Sequence, residues 1–228
     1  MRRSGRRTPF EITAKRGRGP HFAVISNGVR LPERRTAPPP ARAGAPVVAY
    51  AGHLYPWKGS DAVLHAIARV PGARGLIIGG HPREADWARV HELARSLGVF
   101  DRVTFTGFVA SADVPARLAA ASILVVPTVA TPSARYTSPL KLFEFRSLGR
   151  PIVATDLPSV REIISDDVNG LIVPPGDPDA MAGAIVRLAD HPELSERLAR
   201  RAFDDVEAYS WRRRAERVAA VLEEAVRA

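Results

Sequence analysis

Three lysines stand against thirty arginines in this chain, and two of the three fall where a phosphate would call for a cation. Lys58 closes the stretch Gly52-His53-Leu54-Tyr55-Pro56-Trp57-Lys58-Gly59, which leads from an apolar run into a helical pattern. A helix start offers free backbone N–H groups and the positive end of the helix dipole, and a lysine there adds a full charge. The competing use is a solvated lysine at a helix start. Lys141 belongs to a second such stretch, Tyr136-Thr137-Ser138-Pro139-Leu140-Lys141-Leu142-Phe143-Glu144. Its hydroxyls and helix-start amides suit a diphosphate or a sugar, and the Glu144 carboxylate could accept hydrogen bonds from a ribose diol. Glu144 also follows Lys141 at the spacing of an intrahelical ion pair, an alternative worth only about 0.2–0.5 kcal/mol. Two further segments are weaker. Gly79-Gly80-His81-Pro82 lets backbone approach a ligand closely, or simply turns. Thr106-Gly107-Phe108-Val109 places an aromatic face where a base could lie, or a core residue.

These segments matter because of what precedes them. Short apolar runs predict strands at 47–51, 75–78, 103–105, 123–126, 151–154 and 170–173. Between and after them, apolar residues at helical spacing predict helices at 60–70, 84–97, 111–121, 140–148, 160–164, 177–189, 193–209 and 211–226. Ser111 is the expected N-cap of the third helix and Asp177 that of the sixth. Strands alternating with helices imply an α/β, Rossmann-like doubly wound parallel sheet with helices on both faces, ending in helices. In such a sheet ligands bind beyond the carboxyl ends of the strands, where all four segments fall. The three spaced glycines of a dinucleotide-binding turn are absent after the first strand, which argues against a nicotinamide dehydrogenase.

Composition narrows the field further. A chain of 228 residues, 46% hydrophobic, fills one α/β domain. It has no cysteine, so disulfides, thiol catalysis and cysteine-based metal sites are excluded. Nothing in the pattern calls for a metal or a resident cofactor. The net charge of +9 sits entirely in residues 1–46, which hold eleven basic and two acidic residues; the remainder carries 22 of each sign. A basic leader on a neutral globule can meet nucleic acid or the inner face of an anionic membrane, though a solvated tail is the simpler reading. No apolar stretch follows the arginine pairs to make an export signal, and the longest apolar run, 118–126, is too short to span a bilayer. A cytoplasmic protein is expected, peripheral to the membrane at most, with no specific nucleic-acid partner. Residues 1–20 read as a disordered leader, 21–46 as a connecting segment with a proline-rich linker, and 47–228 as the ligand-binding domain.

Taken in order, the pieces resemble one family. Ala51-Gly52 with Lys58-Gly59, Val103 to Gly107, Ser122 to Pro127, Pro139, Lys141 and Glu144 with Gly149-Arg150-Pro151-Ile152-Val153-Ala154, Glu162-Ile163-Ile164, and Asn169 to Val173 are similar to the C-terminal half of family-4 (group 1) glycosyltransferases of the GT-B fold. Ile25-Ser26-Asn27-Gly28-Val29 resembles the family's interdomain segment, and Ser210-Trp211 the start of its final helix. The resemblance implies a site for a UDP-, GDP- or ADP-sugar donor, and transfer with retention and without a metal. It implies that Lys58 holds the diphosphate, with His53 where the family usually has an arginine. It implies that Glu144, the second glutamate of the family's Glu-x7-Glu motif, binds the ribose. Tyr136 occupies the first glutamate position, leaving Thr137 and Ser138 as replacement sugar contacts. The family's N-terminal acceptor-binding domain has no counterpart in the roughly twenty unmatched residues at the start. The expectation is therefore a donor half, completed by a separate domain or chain and inactive or incomplete alone. A non-catalytic nucleotide-sugar-binding module is the rival reading, and a basic nucleic-acid or membrane-surface binder the remoter one.

Overall fold

Six strands, β1 (Val47–Ala51), β2 (Arg74–Ile78), β3 (Val103–Phe105), β4 (Ile123–Val126), β5 (Ile152–Thr155) and β6 (Leu171–Val173), make one sheet in a computed structural model that describes residues 23–31 and 44–227. Every pairing is parallel, in the order β3-β2-β1-β4-β5-β6. The inner strands β4 and β5 are short and apolar on both faces because both are covered: all four residues of each are buried. Successive side chains point to opposite faces and so build two cores. Val48, Tyr50, Val125 and Val153 pack on one side with Leu64, Ile67 and Ile185 from helices α1 (Ser60–Arg69) and α6 (Pro178–Asp190). Val90 of α2 (Ala85–Ser96) joins them. Ala49, Leu124 and Ile152 pack on the other side with Leu118, Phe143 and Val160. These come from α3 (Val114–Leu118), α4 (Leu140–Arg146) and α5 (Pro158–Arg161). The chain then continues through α7 (Pro192–Asp205) and α8 (Trp211–Arg227). This is the Rossmann-like α/β sheet expected from the sequence.

Local chemistry explains most boundaries. The carboxylate of Asp177 accepts a 2.8 Å hydrogen bond from the Ala180 amide, and Pro178 opens α6 with a φ already suited to the helix. The third helix is a correction. It spans five residues rather than 111–121, and Ser111 lies ahead of its cap, which falls on Asp113 without a side-chain bond. Pro115 explains this, because proline lacks the N–H needed further inside and is placed in the first turn. The expected helix over 193–209 also divides. After Asp205 the chain tightens into a 3-10 turn, Val206–Tyr209, which buries Val206 in the second core.

The chain's expected connecting segment is partly visible. Residues 23–28 form no strand, but Val29 bridges Ser210, with its N–H donating to the Tyr209 carbonyl at 2.9 Å. Gly28 lies against the Trp211 indole, where an added Cβ would sit 2.8 Å from a ring carbon. The expectations for residues 1–20 and for most of the proline-rich linker lie outside the described residues.

Candidate functional site

The strand order reverses between β1 and β4, since β1 leads to β2 and β3 on one side while β4 and β5 lie on the other. Loops leaving two such strands diverge and open a crevice at their carboxyl ends. Here the crevice is a cavity of about 440 Å³. Its walls come from the loop after β1, the loop after β4 and the first turn of α4.

Lys58 ends a 3-10 turn, Pro56–Lys58, with its N–H donating to the Tyr55 carbonyl at 2.8 Å. The next residue fixes where that turn lies. Gly59 has φ of 82°, and a Cβ there would fall 1.9 Å from the Pro127 carbonyl oxygen. Only backbone fits between the two loops, so Lys58 is held beside the crevice at the entry to α1. Gly59 caps the ten-residue α1 without a side-chain hydrogen bond, and the first turn carries Asp61, which is paired with Arg89. On the same loop, the His53 carbonyl accepts a 2.5 Å hydrogen bond from Tyr50. Burial holds the Tyr50 phenol above its usual range, which keeps it a donor.

The loop after β4 reaches the cavity with Thr128, Thr131 and Ser133, followed by Thr137, Ser138, Leu140 and Lys141. Thr137 donates to the Ser133 carbonyl at 3.0 Å. Ser138 is held from outside: its Oγ accepts from the Asn27 N–H at 3.1 Å and its carbonyl from the Asn27 side-chain amide at 3.0 Å. Lys141 Nζ and Glu144 Oε2 are 2.6 Å apart, both groups about one-third to two-fifths exposed, so the intrahelical ion pair is formed. Among the described residues no group of three His, Cys, Asp or Glu side chains is placed to hold a metal ion.

The cavity thus gathers Gly52, His53, Lys58, Thr137, Ser138, Leu140 and Lys141 from the sequence reading. Glu144 lies one turn behind its lining, reaching it through Lys141. Tyr136, 76% exposed, sits on the 3-10 turn Ser133–Tyr136 and is not part of the wall. Gly79 and Gly80 also stay outside it. A Cβ on Gly79 would meet the Gly52 carbonyl at 2.3 Å and one on Gly80 the Leu54 side chain at 2.6 Å, so both glycines serve the packing of neighbouring loops. Phe108 is 77% exposed beyond β3, which excludes the core reading, and half-buried Val109 packs against the second core. Sequence reasoning passes over Trp57, Thr128, Thr131 and Ser133. The signal for Trp57 is its place beside Lys58; the hydroxyl residues show only as a polar loop.

A family model described as glycosyl transferases group 1 matches residues 45–191. The chain belongs to that family. Among its relatives, the alpha-D-kanosaminyltransferase of Streptomyces kanamyceticus is 33% identical over 163 residues, covering 69% of this chain and 40% of the relative. The D-inositol 3-phosphate glycosyltransferase of Streptomyces bingchenggensis is 30% identical over 236 residues, covering 95% of this chain and 51% of its own. Among solved structures, Anabaena HepE in complex with UDP-glucose superposes with a TM-score of 0.71 at 23% identity, over 79% of this chain and 49% of that one. The fold is accordingly that of one half of a GT-B glycosyltransferase, and this group 1 chain spans about half the length of the curated relatives it matches.

Proposed function

We propose that this chain is the donor half of a retaining glycosyltransferase and binds a nucleotide-diphosphate sugar in the switch-point crevice. The observation that carries this reading is the convergence of Lys58 and the hydroxyl-rich loop after β4 on one cavity of about 440 Å³, large enough for a ligand of that class. HepE, solved with UDP-glucose, supports a UDP-sugar as the first donor to test, ahead of GDP- and ADP-sugars.

The crevice residues divide the work by chemistry. Lys58 and the start of α1 take the diphosphate, while His53 supplies a single imidazole donor where a guanidinium would clamp with two. In transfer, the bond between the sugar's anomeric carbon and the phosphate oxygen breaks, a bond from that carbon to the acceptor hydroxyl's oxygen forms, and the hydroxyl's proton passes to the departing phosphate. Negative charge grows on the departing phosphate, and the fixed cation and amide dipoles stabilise it without reorganising. Thr137 and Ser138 are the hydroxyls in reach of the sugar, in place of a carboxylate at position 136. Glu144 either accepts from the ribose or orients Lys141 toward the ligand.

The acceptor would be presented by a separate domain or chain. The second reading is a nucleotide-sugar-binding module without turnover of its own, which would use the same crevice contacts. Titration calorimetry with UDP-, GDP- and ADP-glucose tests binding, and a transfer assay on the isolated chain separates the two readings. Lys58→Ala should weaken donor binding roughly 10- to 100-fold, as expected for losing a charge-assisted contact of about 1.5–3 kcal/mol. Undiminished binding by that variant would sink the assignment.

A further inference from the structure

The loop that carries Lys58 also carries a ladder of rings. His53 and Tyr55 lie with ring centroids 5.0 Å apart and planes within 4°, and Tyr55 and Trp57 follow at 4.7 Å and 26°. The intervening Leu54 is fully buried, so its side chain pins the ladder to the domain. The outermost rung, Trp57, is 53% exposed and lines the cavity. Its carbonyl accepts from the Val129 amide at 3.2 Å, and two residues on Gly59 rests against Pro127. The loop that holds the indole is therefore fastened to the loop after β4. An exposed indole held at a fixed position in a cavity wall offers a flat apolar face to whatever fills that cavity.

What covers it follows from the rest of the cavity. Thr131, Ser133 and Thr137 line the same space from the loop after β4, and hydroxyls both donate and accept. An apolar face beside hydroxyls matches a pyranose ring, which has an apolar C–H face and a rim of hydroxyls. We propose that Trp57 is the stacking platform for a pyranose ring in this crevice, and so sets which sugars the site accepts. This rests on the donor-site reading above. The ring belongs either to the nucleotide sugar or to an acceptor sugar, and one titration series separates these sources.

The full-length chain and its Trp57→Ala and Trp57→Phe variants are titrated with UDP-glucose, with UDP, and, once saturated with UDP, with methyl α-glucoside. A donor-side platform predicts that Trp57→Ala binds UDP-glucose roughly tenfold more weakly, as expected for losing a stacking contact of about 1.4 kcal/mol, while UDP affinity holds. An acceptor-side platform predicts a similar loss for methyl α-glucoside alone. Trp57→Phe keeps most of the affinity in either case. Equal loss for UDP and UDP-glucose would mean that the indole stacks on the base, and no loss for any ligand would mean that it stacks on nothing; either overturns the proposal while leaving the donor site standing. Wild-type protein that binds neither UDP nor UDP-glucose would remove the UDP-sugar reading itself, and this proposal with it.

Discussion

At Gly59 two constraints meet in one residue. Its φ of 82° lies in the left-handed region that side chains rarely adopt, and a Cβ would overlap the Pro127 carbonyl oxygen at 1.9 Å. Gly59→Ala should cost about 2–4 kcal/mol, combining backbone strain with the forced separation of two loops, and chemical denaturation would measure it. The same variant should lose donor affinity, because Lys58 is displaced with its neighbour. This contact is not legible in the sequence. The pair Lys58-Gly59 marks a helix entry, but Pro127 is distant in the chain and only the fold brings it there. The same holds for Ser138, whose partner Asn27 stands 111 residues away. Glu144 is legible as an ion-pair partner, since three residues along a helix from Lys141 is by itself the spacing of such a pair. Trp57 escapes sequence reasoning for the opposite reason. An aromatic in a loop reads as ordinary until Tyr55 and the cavity are seen on either side of it.

At the scale of elements, the strands and the long helices are readable because each carries its own pattern. β4 and β5 are continuous apolar runs, and α6 begins with an aspartate and a proline that do what those residue types do at a helix start. Periodicity alone makes the third helix too long, because its apolar spacing extends beyond the short turn that Pro115 opens. How α6 and α7 meet the loop before β6 depends on charges that no periodicity reveals. Asp167, with φ of 56°, receives Arg187 from α6 and Arg197 from α7, each at 2.9 Å. Arg187 first and Arg197 next hold its carboxyl below the usual range. A carboxyl depressed in the folded state contributes stability that is complete above the unfolded value, about 3.9, and lost as pH falls through the folded one. Half exposure keeps the size small through solvent screening. Asp167→Asn, which tolerates the same backbone, should lower stability slightly at neutral pH and make it less sensitive to acid below about pH 4. Urea midpoints for both proteins across pH 3–7, on the order of a dozen points, would show a gap that closes toward acid.

For the whole molecule, the charge imbalance and the crevice separate. The imbalance of +9 lies in residues 1–46, whereas the crevice is built from residues 50 to 160. Removing residues 1–22 deletes seven basic residues and one acidic residue, taking the net charge from +9 to +3. Donor affinity should stay within about twofold, since none of the cavity wall is removed. Loss of donor binding in calorimetry would place the ligand on the leader instead. The cut belongs before residue 23, because Val29 is buried and bridged to Ser210. Among the described residues no helix is long and apolar enough to cross a membrane. The doubly wound order follows from alternating elements; the clamp between residues 26–29 and 209–214 does not, because it is made largely through backbone groups that every residue possesses. The Asn27 bonds to Ser138 give that clamp a further meaning. The stretch of chain entering the domain is tethered to the very loop that lines the crevice, by two hydrogen bonds and no intervening residue. A shift of the segment before Asn27 would therefore have to break these two bonds or carry Ser138, and with it part of the crevice wall, along.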